Sequence, residues 1–161
     1  MPTVEDVYCK FGFVAEAAQL LDTELGTLLI YEEAVSADLI DAPNSEIANS
    51  MYRKIDRYTL GRLIKNAKNK VASLDKLEDL LAAALTERNR LSHSFYREHN
   101  FRLGAEADDG RAIMLEDLDR MHEVILDAYK AAMLLSGIDL EKLDEAPEEY
   151  RAIEMLGHVK I

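Results

Sequence analysis

The chain has 161 residues, 48% of them hydrophobic and 31% charged, which suits one domain with a real core rather than a polar disordered segment. A formal net charge of -12 argues against a generic nucleic-acid or anionic-membrane binder, and a single cysteine, Cys9, excludes an internal disulfide and argues against a cysteine-based zinc site. That lone cysteine, together with a start "MPTVEDVYCK" that lacks a basic and then apolar leader, points to a cytoplasmic protein, and no apolar run is long enough to span a bilayer.

In chain order, Val7, Phe11, Val14, Ala18, Leu21, Leu25, Leu28 and Leu29 recur at steps of three and four and predict one long helix from Val4 to about Ala34. "DAPNSE" breaks the chain, because Pro43 disfavours helix at the residue before it. Asn44 or Ser45 then caps a second helix from Ile47 to about Asn66, with Ile55, Tyr58, Leu63 and Ile64 on its apolar side. Gly61 within it marks a close helix approach or a small kink. A third helix is expected from about Leu74 to His99. "LGAEADDG" reads as a loop, and "RAIMLEDLDRMHEVILDAYKAAMLLSG" as a fourth helix, striped by Met114, Leu118, Met121, Ile125, Ala128 and Ala132 and stopped by Gly137. Strand alternation is absent from the pattern. The expected architecture is an all-α, antiparallel four- to five-helix bundle over residues 1–143, followed by a short helix or tail over 144–161.

The charge is segregated. From Arg53 to Arg102 there are 12 Lys and Arg against 6 Asp and Glu, and the remainder holds 7 against 25. The third helix sits in this basic segment and changes character along its length. Leu77, Leu81, Ala84, Leu85, Leu91 and Phe95 form its buried stripe, but Arg88 falls inside that stripe and should be paired or face a polar seam, with Glu116, Asp117 or another acid of a neighbouring helix as a structural partner. Asn89, His93 and Arg97, four apart, share an adjacent face with Ser92 nearby, whereas Glu87, Arg90 and Ser94 point outward. His99 reads as a residue at the helix end, interacting with the dipole. Guanidinium groups hold phosphate and imidazole moves protons near neutral pH, so the cluster suits metal-free phosphodiester cleavage by a ribose hydroxyl.

"RNRLSH", Arg88 to His93, resembles the Arg-x4-His signature of HEPN-domain proteins, including the polar residue after the arginine, Asn89. The resemblance implies a helical bundle that dimerises and joins two copies of the motif into one composite site. It implies a metal-independent endoribonuclease of the toxin–antitoxin or phage-defence type, with a homodimer, RNA and an antitoxin or other partner protein as its associates. In that reading Arg88 and His93 are the catalytic pair, Asn89 and Ser92 support them, and Arg97 and Arg102 bind phosphate. The second position after the histidine, a modified tyrosine in one toxin branch, is Phe95 here, with Tyr96 following. No cofactor is expected and no metal, since Asp119-x-x-His122 is a single Glu-x-x-His-like pair without a mate and Glu154 and His158 are merely four apart. The competing reading is a non-catalytic helical interaction or regulatory module, in which the Arg/Asn/His cluster is a structural network at a dimer interface.

Overall fold

A computed structural model describes residues 2–69, 77–104, 108–140 and 142 of the chain. Every regular element among them is helical. Helix α1 (Val4–Ser36) opens on a reciprocal cap: the Thr3 hydroxyl accepts from the Asp6 amide at 3.1 Å, and the Asp6 carboxylate accepts from the Thr3 amide at 2.8 Å. One stripe of α1, from Val7 and Val14 through Leu21, Leu25 and Leu29, is closed to water along its whole length. The helix stops before Pro43 is reached. Asp38 takes a left-handed conformation, φ 57°, which lets the Leu39 amide return to the Ala34 carbonyl at 3.0 Å.

The expected second helix is two. In α2 (Ser45–Ile55), Asn44 provides the cap, its Oδ1 accepting from the amides of Glu46 and Ile47. A new helix, α3 (Leu60–Lys68), begins after a short turn. The core explains the break. Ile55 and Leu60 are both buried, and five residues apart on a straight helix they would diverge by about 140°. Interrupting the helix at Asp56–Thr59 brings both inward. Gly61 lies where α3 meets α4, and a Cβ there would stand 3.5 Å from Leu85 Cδ2, an ordinary contact.

Helix α4 (Glu78–His93) is shorter than its apolar pattern suggests. Ser94, at φ -128° and ψ -25°, interrupts it before the single turn α5 (Phe95–Glu98). Helix α6 (Asp108–Leu135) begins one turn earlier than expected and buries Met114, Leu118, Met121, Ile125, Ala128 and Ala132 completely. Gly137, at φ +82°, ends it, with the Ile138 amide bonded back to the Met133 carbonyl at 3.0 Å. The broadest packing is α1 on α6, with α4 also on α6 and α3 on α1. The segment 144–161, expected as a short helix or tail, lies outside the described residues.

Gly110, assigned to a loop from the sequence, is in the first turn of α6 under the chain at Arg102. A Cβ at Gly110 would come within 2.8 Å of the Arg102 carbonyl oxygen and 3.0 Å of its Cα. Backbone on both sides leaves little room to yield. Gly110→Ala is expected to destabilise the protein by about 1–3 kcal/mol, in spite of a helix-propensity gain of about 1 kcal/mol. Gly61→Ala, with ordinary clearance, should be neutral or stabilising. Urea unfolding of the two variants beside wild type checks the contrast.

Candidate functional site

The polar interruption of α4 divides into an inner and an outer set. The inner set is built on Asp117, which α6 carries on its apolar face between Met114 and Met121 and which is only 6% exposed. Arg90, expected to point outward, instead turns in and grips it with two parallel bonds, Nη1 to Oδ1 at 3.0 Å and Nη2 to Oδ2 at 2.5 Å. The remaining donors of Arg90 reach Glu98 at 2.6 Å and Glu87 at 3.2 Å. Arg120, one turn along α6, also donates to Asp117.

His99 completes the inner set. It was expected at a helix end interacting with the dipole, but it is buried, with its ring 4.6 Å from that of Phe95. Its Nε2 lies 2.7 Å from Asp117 Oδ2 and its Nδ1 lies 2.9 Å from Arg102 Nη1. A guanidinium only donates, so Nδ1 accepts and the ring proton sits on Nε2, facing the carboxylate. Burial pulls the Asp117 carboxyl upward, but the hydrogen bonds from Arg90 and His99 and the charges of Arg90 and Arg120 outweigh it. Its pKa lies below the ordinary 3.8 as a result. The same hydrogen bond to Asp117, before any other contact, holds the Arg90 guanidinium protonated beyond its usual range.

The outer set holds most of the residues singled out from the sequence. Asn89, Ser92, His93 and Arg97 are all exposed. His93 is the last residue of α4 and forms no hydrogen bond with Arg88. Arg88 bonds instead to Asn89 Oδ1 at 3.2 Å and stands 3.7 Å from Asp22 of α1, so its acidic partner is on a neighbouring helix but is neither Glu116 nor Asp117. Arg97 donates to the Ser94 hydroxyl at 3.0 Å. Arg102, grouped with Arg97 as a phosphate ligand in the sequence, belongs to the inner set through His99. Tyr96 leaves the surface partly covered: its ring lies 5.3 Å from Phe11 and 6.3 Å from Tyr8, so α5 is held against the start of α1 by aromatic contacts.

Among the described residues no group of three or more His, Cys, Asp or Glu side chains is arranged to hold a metal ion. His122 packs toward Lys10, its nearest nitrogen 3.4 Å from the ammonium, and burial and that charge both lower its pKa. Glu154 and His158 lie outside the described residues. No described helix is long and apolar enough to cross a membrane.

No family model, curated protein or solved structure matches this chain. The Arg90–Asp117–His99 network escaped the sequence reading, although one signal for it was present. Asp117 is three residues after Met114 and four before Met121, in register with the apolar stripe, and an acid there needs donors.

Removing Arg90 leaves Asp117 buried with its strongest partner gone. Arg90→Ala is expected to cost about 3 kcal/mol, and Asp117→Asn a similar amount at pH 7. A lowered carboxyl pKa stabilises the fold fully above the ordinary value of 3.8, and that contribution disappears as pH falls through the lowered value. The stability gap between wild type and Asp117→Asn should therefore close as pH drops below 3.8, in urea unfolding series from pH 7 to pH 3.

Proposed function

We propose that the chain is a HEPN-like helical bundle that acts on RNA without a metal, through a site completed by a second copy of itself. The observation that carries this reading is the outer face of α4. His93 ends the helix in the open, and Asn89, Ser92 and Arg97 are exposed beside it. A face of imidazole, amide, hydroxyl and guanidinium groups is available to a ligand and to a partner subunit together. In the proposed reaction the ribose 2′-hydroxyl attacks phosphorus and the bond to the 5′ oxygen breaks. The products are a 2′,3′-cyclic phosphate and a free 5′-hydroxyl. His93 moves the proton, Arg88 and Arg97 hold the phosphate oxygens, and Asn89 and Ser92 orient the imidazole. An antitoxin or other protein partner belongs to the same proposal.

A second reading has its own support. Arg90, His99 and Arg102 are consumed by contacts inside the protein, which favours an interaction module with no catalytic role for its polar helix. Incubation of wild type and His93→Ala with RNA in excess chelator separates the two. The enzyme reading expects cyclic-phosphate ends from the wild type and a rate lower by roughly 100-fold or more in the variant. Equal rates remove His93 from the mechanism. No cleavage by the folded wild-type dimer leaves the interaction module.

A further inference from the structure

Helix α2 packs on α1 with little of itself inside. Of its 11 residues only Ile55, the last, is buried. Its apolar residues are nevertheless in register: Ile47, Met51 and Ile55 recur at four-residue steps and form one stripe. Ile47 is 45% exposed, and Tyr52 on the same helix is 58% exposed. An open groove of about 440 Å³ lies beside the stripe, lined by Ile47, Met51, Ser50 and Lys54 and, from α1, by Glu33. Lys54 reaches across to within 3.4 Å of Glu33.

The next strip of α2 is basic. Asn49 and Arg53, one turn apart, line a second open cleft of about 530 Å³ together with Arg57 from the turn that follows. Glu46, Ser50 and Lys54 belong to both clefts, so the apolar groove and the basic edge lie side by side on one helix. Arg53 and Arg57 are exposed and form no ion pair with another described residue, in a chain whose net charge is -12. Lys54 is answered by Glu33; the two guanidiniums are not. A helix of 11 residues is too short to be stable by propensity, and its apolar surface contributes nothing while it faces water.

Each feature restricts what covers this face. A helix offers no open backbone edge, which excludes a strand added by main-chain pairing and favours a second helix laid into the groove. Apolar side chains at steps of three and four on that helix would rest on Ile47 and Met51. Carboxylates on its flank would meet Arg53 and Arg57 in charge-assisted bonds. A phosphate backbone would use the guanidiniums and leave the groove wet. A second copy's α2 carries Glu46 as its only acid and brings two more guanidiniums. We propose that this face of α2 is the docking site for an acidic amphipathic helix of a partner protein, with Ile47 and Met51 receiving its apolar side chains and Arg53 and Arg57 its carboxylates. His93 and the outer face of α4 take no part, so the inference stands or falls apart from the RNA reading.

The test is fluorescence anisotropy of the full chain with a labelled synthetic peptide of roughly four helical turns, with leucines at steps of three and four and glutamates and alanines elsewhere. Saturable binding is expected. A peptide with lysine in place of every glutamate, and one of the same composition with the leucines out of phase, should each bind about tenfold more weakly or worse. Ile47→Gln and the double variant Arg53→Gln with Arg57→Gln should each weaken binding by roughly tenfold, whereas Lys65→Gln on α3 should leave it within about twofold. All four side chains are exposed, and thermal melts verify that each variant is folded. Should one of the α2 variants fail to fold, the other decides. The proposal is overturned by absence of saturable binding, by equal binding of either control peptide, or by equal weakening in Lys65→Gln, which would mean attraction to basic charge at large. Displacement of the peptide by single-stranded RNA at comparable concentration would overturn it in favour of a nucleic-acid face. A fall in the mass of the wild-type assembly on Ile47→Gln, read by light scattering, would overturn it in favour of a contact between copies.

Discussion

A carboxylate almost closed to water sits in the apolar face of α6, and the chain around it is arranged to supply donors. A buried charge left alone costs several kcal/mol, so Asp117 cannot be placed there without Arg90, His99 and Arg120 arriving too. Each requirement shapes the backbone. Arg90 fixes how α4 is rotated against α6. His99 demands that the chain pass back under α4, which the interruption at Ser94 and the single turn of α5 provide. Arg102, bonded to the far side of the His99 ring, carries the segment toward the start of α6, where Gly110 leaves space for it.

This inward commitment determines what remains outside. With Arg90 and His99 turned to the core, Asn89, Ser92 and His93 take the solvent side of α4. The arginine pair flanking Asn89 is thereby separated: Arg88 leans toward α1 and Arg90 toward α6. Two neighbouring residues of one type on the same helix serve different elements, and the polar run acts less as one cluster than as a divide between an inner clamp and an outer face.

Asp22 and Asp117 make an instructive pair, since both are carboxylates drawn out of water by the packing of long helices. Asp117 accepts from three side chains, and its pKa falls; Asp22 has a distant arginine and an unpartnered oxygen, and its pKa rises. Burial pushes both in the same direction, so the difference lies in the number of donors within reach. The first carboxylate is a finished structural joint. The second lines an open cleft.

Periodicity by itself determined the long helices and their buried faces. The stripes from Val7 to Leu29 and from Met114 to Ala132 are legible because apolar residues at steps of three and four have one way to leave water together. Helix ends set by local chemistry, such as the Asn44 cap and the Gly137 stop, were legible for the same reason: their causes lie within a few residues. The breaks at Asp56–Thr59 and Ser94 were not, because each depends on where a distant helix places its surface. Ile55 and Leu60 must face one core, and His99 must find an aspartate 18 residues away. The pairing of Arg88 with Asp22 and of Arg90 with Asp117 was likewise decided in space. A helical wheel gives the direction of a side chain from its axis, but a long guanidinium reaches around that axis to the nearest buried charge, and only tertiary packing says where that charge is.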